Sequence, residues 1–592
     1  MERMDLDGAK EVFGISYKIS LSDLISDMQP GQIAAETLQA IDRETLLVEL
    51  SKFAAVLHNE NPDGVSAFLN DALRPDATGM LEDRYALSGS LLAKLRSGLQ
   101  ANVANPLGVC AAQAMVLMHA KDGGDVPTRG DILHLLLLAN DVTSKWHDSD
   151  PTDALLDDEA FLAEFSRAQL FGQNHDAVHE YNRSTRLFAE TPSSQDQARW
   201  ADWQRRALGR DCDQYMLGLA APLYLASRGW GCVNADGRRR MPLLPPDFPW
   251  PATDPGDAGW QASEIGRASV TIGELARAVS KASDGSGVPT GVAPLLHSPI
   301  LSLSDGRVLF LSPHIGRELL RGGLWNKHRL AARDDKGKPD SLYFLRVFGL
   351  VFEQWCRRVA SFVSQADGYS VIMSKVIGQG EIIDIIIKCE TDAEPLFLLV
   401  SVKSGVMQER ILKGAASARE IVQWFDHALF RQRRAGSAGA KDTPGAVRDL
   451  HDIVTAVRAG VHELVIPRSA RLHSLIVTYE ETSGDHWAMR RWMRKRCAEE
   501  GLVFPPDATM PRMLPVADFE RLVGYVVNGG DLPSILERLS DEASDHLSIQ
   551  RDLYAQRVSN GDLQIPEFLR RFEEDMARVA ALMQAAIPGT EG

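Results

Sequence analysis

The stretch from 370 to 405, SVIMSKVIGQGEIIDIIIKCETDAEPLFLLVSVKSG, constrains the fold of this chain more than any other. Ser370 to Val376 and Ile382 to Lys388 are β-branched runs joined by Gly378, Gln379 and Gly380, the composition of a hairpin turn. Leu396 to Lys403 is a third strand, entered after the polar turn Glu390 to Pro395. Away from their ends the second and third runs are almost wholly apolar, interrupted by Asp384, Ser401 and Lys403. Strand side chains alternate, so Ser401 and Lys403 share a face, and Asp384 on the neighbouring strand aligns with them if the register permits. Glu381 has the opposite parity to Asp384 and ranks below it as a ligand. A carboxylate and an amine inside buried strands are costly unless paired or bound to a cation. That cost marks these positions as candidates for chemistry.

Upstream, Tyr343 to Val363 predicts a helix, because Phe348, Val351, Phe352, Trp355, Val359 and Phe362 form one apolar stripe. Glu353 lies at its edge. A Glu in a helix of the form Gly349-Leu350-Val351-Phe352-Glu353, then Ile383-Asp384 on a hairpin, then a strand ending Ser401-Val402-Lys403, resembles the PD-(D/E)XK nuclease superfamily over roughly 140 residues. The resemblance implies a restriction-endonuclease-like α/β/α core with a mixed sheet at 341–480. It further implies a Mg2+ or Mn2+ site held by Asp384, with Glu353 as an outer or second ligand, through hard oxygen donors. The cation would polarise the phosphate and activate water, and Lys403 would position that water or neutralise transition-state charge.

Ser401 departs from the family, which has Glu or Asp there. Two readings follow: a degenerate domain that binds without cutting, or a carboxylate relocated to the following helix. Glu409 and Glu420, 11 residues apart and so on one helical face, are the candidates for the second, with Glu420 preferred.

The rest of the chain reads as a multidomain α+β protein. Residues 1–231 carry apolar residues at helical spacing, as in Ala34 to Leu57, Leu91 to Leu99 and Ala154 to Leu170. Residues 232–340 form a linker and small mixed region, opening on a Pro-, Gly- and Asp-rich stretch (232–261) and broken again at 281–291. Within it, Ile300 to Leu303 and Arg307 to Leu311 predict two short strands about a Ser-Asp-Gly turn. Residues 481–592 predict an α-rich region that completes or flanks the core. It has a strand at Met513 to Val516 and an amphipathic helix near Pro566 to Ala585. Gln432 to Ala446 predicts a polar, mobile loop.

His486 to Arg496, HWAMRRWMRKR, concentrates Arg490, Arg491, Arg494, Lys495 and Arg496 around Trp487 and Trp492. A basic helix with aromatics can grip phosphates and stack on bases, so these five residues are the candidate nucleic-acid contacts. A net charge of -16 excludes a uniformly basic coat but not a local basic groove. His175 and His179 have i, i+4 spacing, yet no third ligand is evident, and the pair reads as an ordinary helix face. Walker A and Gly-x-Ser-x-Gly motifs are missing, which argues against a P-loop ATPase and a serine-hydrolase elbow.

Six cysteines without a CxxC pair fit a reducing, cytoplasmic compartment. The first residues, MERMDLDGAKEVFG, lack the apolar stretch of a signal peptide. The apolar run Ile132 to Ala139 is far short of the ~20 residues that span a bilayer. The expected function is therefore a metal-dependent endonuclease acting on DNA. By analogy its context is prokaryotic genome defence or restriction, with a homo-oligomer or defence-complex proteins as possible partners. The alternatives are a non-cleaving nuclease-fold subunit and an RNA-cleaving effector.

Overall fold

The structure is a computed structural model. It describes residues 30–59, 106–145, 177–189, 196–217, 232–233, 240–241, 243–244, 257–283, 287–292, 294–295, 298–312, 323–334, 336–377, 380–390, 395–405, 417–432, 443–460, 466–479 and 487–539, together with single positions 159, 162, 549, 553, 574, 575 and 577. The helix expected at Leu91 to Leu99 and most of those at Ala154 to Leu170 and Pro566 to Ala585 lie outside these residues.

The first four helices are α1 (Pro30–Leu38), α2 (Arg43–Asn59), α3 (Pro106–His119) and α4 (Arg129–Lys145). They bury Leu46, Leu50, Met115, Leu133 and Leu137 in one cluster. The apolar run at 132–139 is thus the centre of a buried helix, and no helix among the described residues is long and apolar enough to cross a membrane. Helices α5 (Ala177–Ala189) and α6 (Gln197–Leu208) follow. Short strands β1 (Cys232–Val233) and β2 (Arg240–Met241) pair antiparallel. Next come β3 (Leu243–Leu244), α7 (Asp257–Ala268), β4 (Ser269–Thr271), α8 (Ile272–Ala282), β5 (Ile300–Ser302) and β6 (Val308–Phe310). A four-stranded sheet runs β3-β6-β5-β4. The hairpin expected around Ser304 to Gly306 is present, with Gly306 at φ 84° where a side chain would be strained.

Two buried clusters run across the expected boundary at 231/232. Leu275, Val279, Leu301 and Leu309 belong to the core of α1 to α4. Trp200, Trp203 and Phe188 belong to a second core with Trp325, Phe344 and Phe348. Among the described residues, Pro- and Gly-rich composition here does not coincide with a division between cores.

Past α9 (Leu324–Ala331), the long helix α10 (Ser341–Ser361) begins where Asp340 caps it by accepting a hydrogen bond from Tyr343 N at 3.0 Å. Phe344, Val347, Phe348, Val351, Phe352, Trp355 and Val359 recur at three- and four-residue intervals and are fully buried. Each such side chain contributes roughly 1.5–3 kcal/mol, and Phe348→Ala would cost about 3–5 kcal/mol. The chain then forms β7 (Tyr369–Ile377), β8 (Gly380–Cys389), β9 (Leu396–Lys403), α11 (Ala418–Leu429), the two-residue strands β10 (Arg431–Gln432) and β11 (Thr443–Pro444), and α12 (Ala446–Ala459). It ends with β12 (Arg471–Thr478), α13 (Trp487–Glu499), β13 (Arg512–Pro515), α14 (Val516–Val527) and α15 (Leu532–Arg538). The ends of the loop expected at 432–446 are clamped by antiparallel pairing of β10 with β11.

The central sheet has the order β13-β12-β9-β8-β7. β7, β8 and β9 form an antiparallel meander, whereas β9, β12 and β13 run parallel. Leu398, Val400 and Leu475 pack on the face covered by α10, α14 and α15. Phe397, Leu399 and Ile476 pack on the face covered by residues of α11, α12 and α13. The core is therefore a three-layer α/β/α unit around a mixed sheet, and the region after 481 completes it. Beneath α10 a buried ion network joins distant segments. Arg183 of α5 bonds both oxygens of Glu520 on α14 at 3.0–3.1 Å, and Glu180 at 2.9 Å. Trp355 Nε1 donates to the same Glu520 at 2.8 Å.

Candidate active site

β9 is buried from Leu396 to Ser401 and emerges toward solvent only at Val402 and Lys403. This is the carboxyl end of a parallel set of strands, where open α/β sheets present their functional groups. The β8–β9 ladder reaches Ile385 opposite Val400. One residue further, Asp384 Oδ2 accepts a hydrogen bond from Val402 N at 2.6 Å. That bond holds the Asp384 carboxylate against the main chain of β9 at Val402, between Ser401 and Lys403 in sequence, as the register expected from sequence requires.

Across from them stands a residue the sequence reading did not single out. Asp449, in the first turn of α12, has Oδ2 3.6 Å from Lys403 Nζ, both groups being partly buried. Burial pushes the Asp449 carboxyl up, the Lys403 charge opposes that rise, and the negative charges of Asp452 and Asp384 add to it. Asp449 thus feels the charge of Asp384 as well as that of the Lys403 amine. The available signal was an acid in the opening turn of an amphipathic helix, GAVRDLHDIV, which is common on helices for dipole reasons alone.

Glu353 approaches from α10. A Cβ on Gly349, one turn earlier, would lie 3.2 Å from Ser404 Oγ, so the helix runs against the chain just past Lys403. Glu353 is ion-paired with Arg357 on its own helix. Buried Cys356 is pushed up well above the usual thiol range, first by burial and then by the charges of Glu520, Asp384 and Glu353. Glu353 and Asp384 thus both act on Cys356, and Glu353 is engaged by Arg357.

Ser401 is buried, 6% exposed, and opposite Ile476 of β12. Glu420 is engaged at the start of its own helix: Oε2 accepts from Ser417 N at 2.8 Å and Ser417 Oγ at 2.9 Å, closing the capping box of α11. Glu409 lies outside the described residues, as do His175 and the side chain of His179.

The basic segment divides. Trp492 is fully buried, its ring packed edgewise against Phe430 and tilted against Phe425, so it is a core residue and not a stacking platform. Arg490 is 2% exposed. Arg496 bonds Asp426, Glu499 and Glu500. Arg494 and Lys495 face solvent and Arg491 is half-buried. An i, i+3, i+4 spacing of Trp and Met in this helix carries the core stripe, which sequence alone did not separate from base stacking.

Among the described residues no group of three or more His, Cys, Asp and Glu side chains converges as a metal cluster. Asp384 and Asp449 nevertheless supply hard oxygen donors, and Mg2+ is commonly held by one or two carboxylates with water and substrate phosphate completing the shell. The donor set fits such a cation. Comparison with protein-family models, with curated proteins and with solved structures finds no match to this chain.

Proposed function

We propose that the chain is a nuclease that hydrolyses phosphodiester bonds with the help of Mg2+ or Mn2+, with DNA as the expected substrate. The observation that carries this reading is the hydrogen bond from Val402 N to Asp384, which sets a carboxylate on the main chain next to Lys403 in sequence, at the end of β9. Further support comes from the order of elements: a helix bearing Glu353, an antiparallel meander, intervening helices, then a strand parallel to β9. That is the order expected of a restriction-endonuclease-like core.

On this reading Asp384 and Asp449 would hold the cation, and Glu353, paired with Arg357 at rest, would serve as an outer ligand. A bound divalent cation supplies electrostatic activation of a phosphate oxygen and of water. Lys403, paired with Asp449 at rest, turns to the phosphate and neutralises charge that develops on it. The sheet end and the first turn of α12 hold these groups at fixed separation, which is what a displacement at phosphorus requires.

A second reading is favoured by Ser401, a neutral residue where the family has an acid: a nuclease fold that binds nucleic acid without cutting. Cleavage of supercoiled plasmid, single-stranded DNA and RNA with Mg2+, Mn2+ or EDTA separates the two. Metal-dependent cutting that disappears in Asp384→Ala and Lys403→Ala supports the nuclease. Binding without cutting, even at high Mn2+, rejects it in favour of the second reading, and preferential cutting of RNA changes the substrate class.

A further inference from the structure

Asp449 sits in the first turn of α12, so its position depends on how that turn is held. Arg448, the residue beside it, gives Nη2 to Glu500 Oε2 at 2.7 Å. Glu500 Oε1 accepts from Arg496 Nη2 at 3.3 Å. Arg496 in turn places Nε at 2.9 Å and Nη2 at 2.6 Å from Asp426 Oδ1. The chain Asp426–Arg496–Glu500–Arg448 therefore links α11, the end of α13 and the start of α12. Three of its four side chains are between 16% and 21% exposed. The Arg496 guanidinium, which also bonds Glu499, engages three carboxylates at once, and a planar fork of this kind fixes direction as well as distance.

We infer that Arg496 is a positioning residue, acting through Glu500 and Arg448 to hold Asp449 beside Lys403, and not a phosphate contact of the basic helix. The inference rests on the reading of Asp384 and Asp449 as cation ligands. It parts Arg496 from its neighbours Arg494 and Lys495, which share the helix but face solvent. The far end of α12 offers a comparison. Arg458 bonds the Ala470 carbonyl at 3.0 Å and pairs with Asp507 at 2.8 Å, so it secures the same helix about two and a half turns from Asp449.

The test uses the full chain and two binding measurements that need no turnover. Isothermal titration calorimetry reads Mn2+ affinity, and fluorescence anisotropy in EDTA reads binding to a labelled DNA duplex. Arg496→Gln, Glu500→Gln and Arg448→Gln are each expected to weaken Mn2+ binding about 10-fold or more, the usual effect of losing an outer-shell partner. The Arg496→Gln/Glu500→Gln double variant should be no weaker than the worse single, because both cut one relay. Duplex binding in EDTA should be unchanged by Arg496→Gln and reduced by Lys495→Ala. Arg458→Gln should lower the melting temperature and leave Mn2+ affinity intact, which separates positioning from general support of α12. Arg448 is 40% exposed, so its variant is the least able to disturb folding.

Wild-type Mn2+ affinity in folded Arg448→Gln and Arg496→Gln would overturn the inference. So would an Arg496→Gln variant that loses duplex binding but keeps its Mn2+ affinity. A wild-type chain that takes up no Mn2+ removes the cation reading itself, and is recognised before any variant is made.

Discussion

Gly445 offers a way to move Asp449 without touching any charged group. It caps the start of α12 and donates its N–H to Phe430 O at 3.1 Å. A Cβ built there would lie 2.3 Å from Leu429 O, 2.5 Å from Leu429 C and 2.6 Å from Phe430 N. All three are main-chain atoms at the end of α11, so no side chain can swing aside. Ordinary contact begins at 3.4 Å, so Gly445→Ala must displace the first turn of α12 by about 1 Å, because packed interiors do not compress. The resulting strain is expected to cost about 1–3 kcal/mol of stability, the range for overpacking. Asp449, four residues on, would move by a similar amount against Lys403, now 3.6 Å away. A misplacement of about 1 Å commonly costs on the order of 100-fold in rate. The assay is the rate of metal-dependent plasmid cleavage, alongside Mn2+ titration and thermal melting. Gly266→Ala is the control: nothing lies within 4 Å of its Cβ position in α7, so it should stabilise by roughly 0.5–1 kcal/mol. Gly445→Ala with wild-type Mn2+ affinity and wild-type cleavage would refute the dependence of the site on α12.

Two further predictions concern the cores. Burial pushes His328 and His473 down to about 4 from an ordinary value of 6.5, so both are neutral in the folded chain at pH 7. The unfolded chain takes up those protons first, so their contribution is complete above pH 6.5 and is lost as pH falls toward 4, by roughly 3 kcal/mol each. Melting temperatures between pH 7 and 4 should show this loss, with a shallower slope in His328→Gln and His473→Gln; unchanged slopes would reject it. Burial also raises Cys110, Cys389 and Cys497 to about 12, and Cys212 and Cys356 well above their ordinary range. These five thiols should resist alkylation at pH 8 until the chain is denatured, and peptide mapping that finds any of them modified in the native protein would contradict their burial.

What was legible in the sequence was what local pattern dictates. Strand β9 has the bounds its apolar run predicts, and β7, β8 and α10 differ from their expected ends by one or two residues. Asp384 and Lys403 stood out because charge inside a buried strand has to be compensated. Pairings across long separations left no such mark. Nothing in Arg471 to Thr478 announces that it lies parallel to β9, or that Thr478 stands opposite Lys403. Asp449 was missed because an acid in a first helical turn is ordinary, and only the approach of α12 to the end of β9 gives it a partner. The basic helix failed for a related reason: composition counts Arg490 and Arg496 alike with Lys495, whereas burial and three nearby acids assign them different surroundings.

The position of Ser401 yields the last prediction. It lies in the same layer as Leu399 and opposite Ile476, where a permanent carboxylate would have to be desolvated inside the sheet. On the proposed reading the second carboxylate arrives instead from a helix, as Asp449, on the side of the sheet that Ser401 and Lys403 share. If one carboxylate serves in place of the other, their effects must be interchangeable in part. Asp449→Asn is then expected to abolish Mn2+ binding and cleavage. Ser401→Asp in the native background brings a third acid toward Asp384 and Asp449, and should lower stability through like-charge repulsion and burial. The same Ser401→Asp in the Asp449→Asn background restores the number of acids around Lys403 and should recover a measurable part of Mn2+ affinity. Calorimetry reads all three variants without requiring turnover. Wild-type affinity in Asp449→Asn would remove Asp449 from the cation site. Loss in Asp449→Asn with no recovery in the double variant would instead mean that a carboxylate at 401 cannot reach the cation from within the strand. The helix would then supply a geometry that the sheet cannot, and Ser401 would be a consequence of where α12 lies and not a sign of decay.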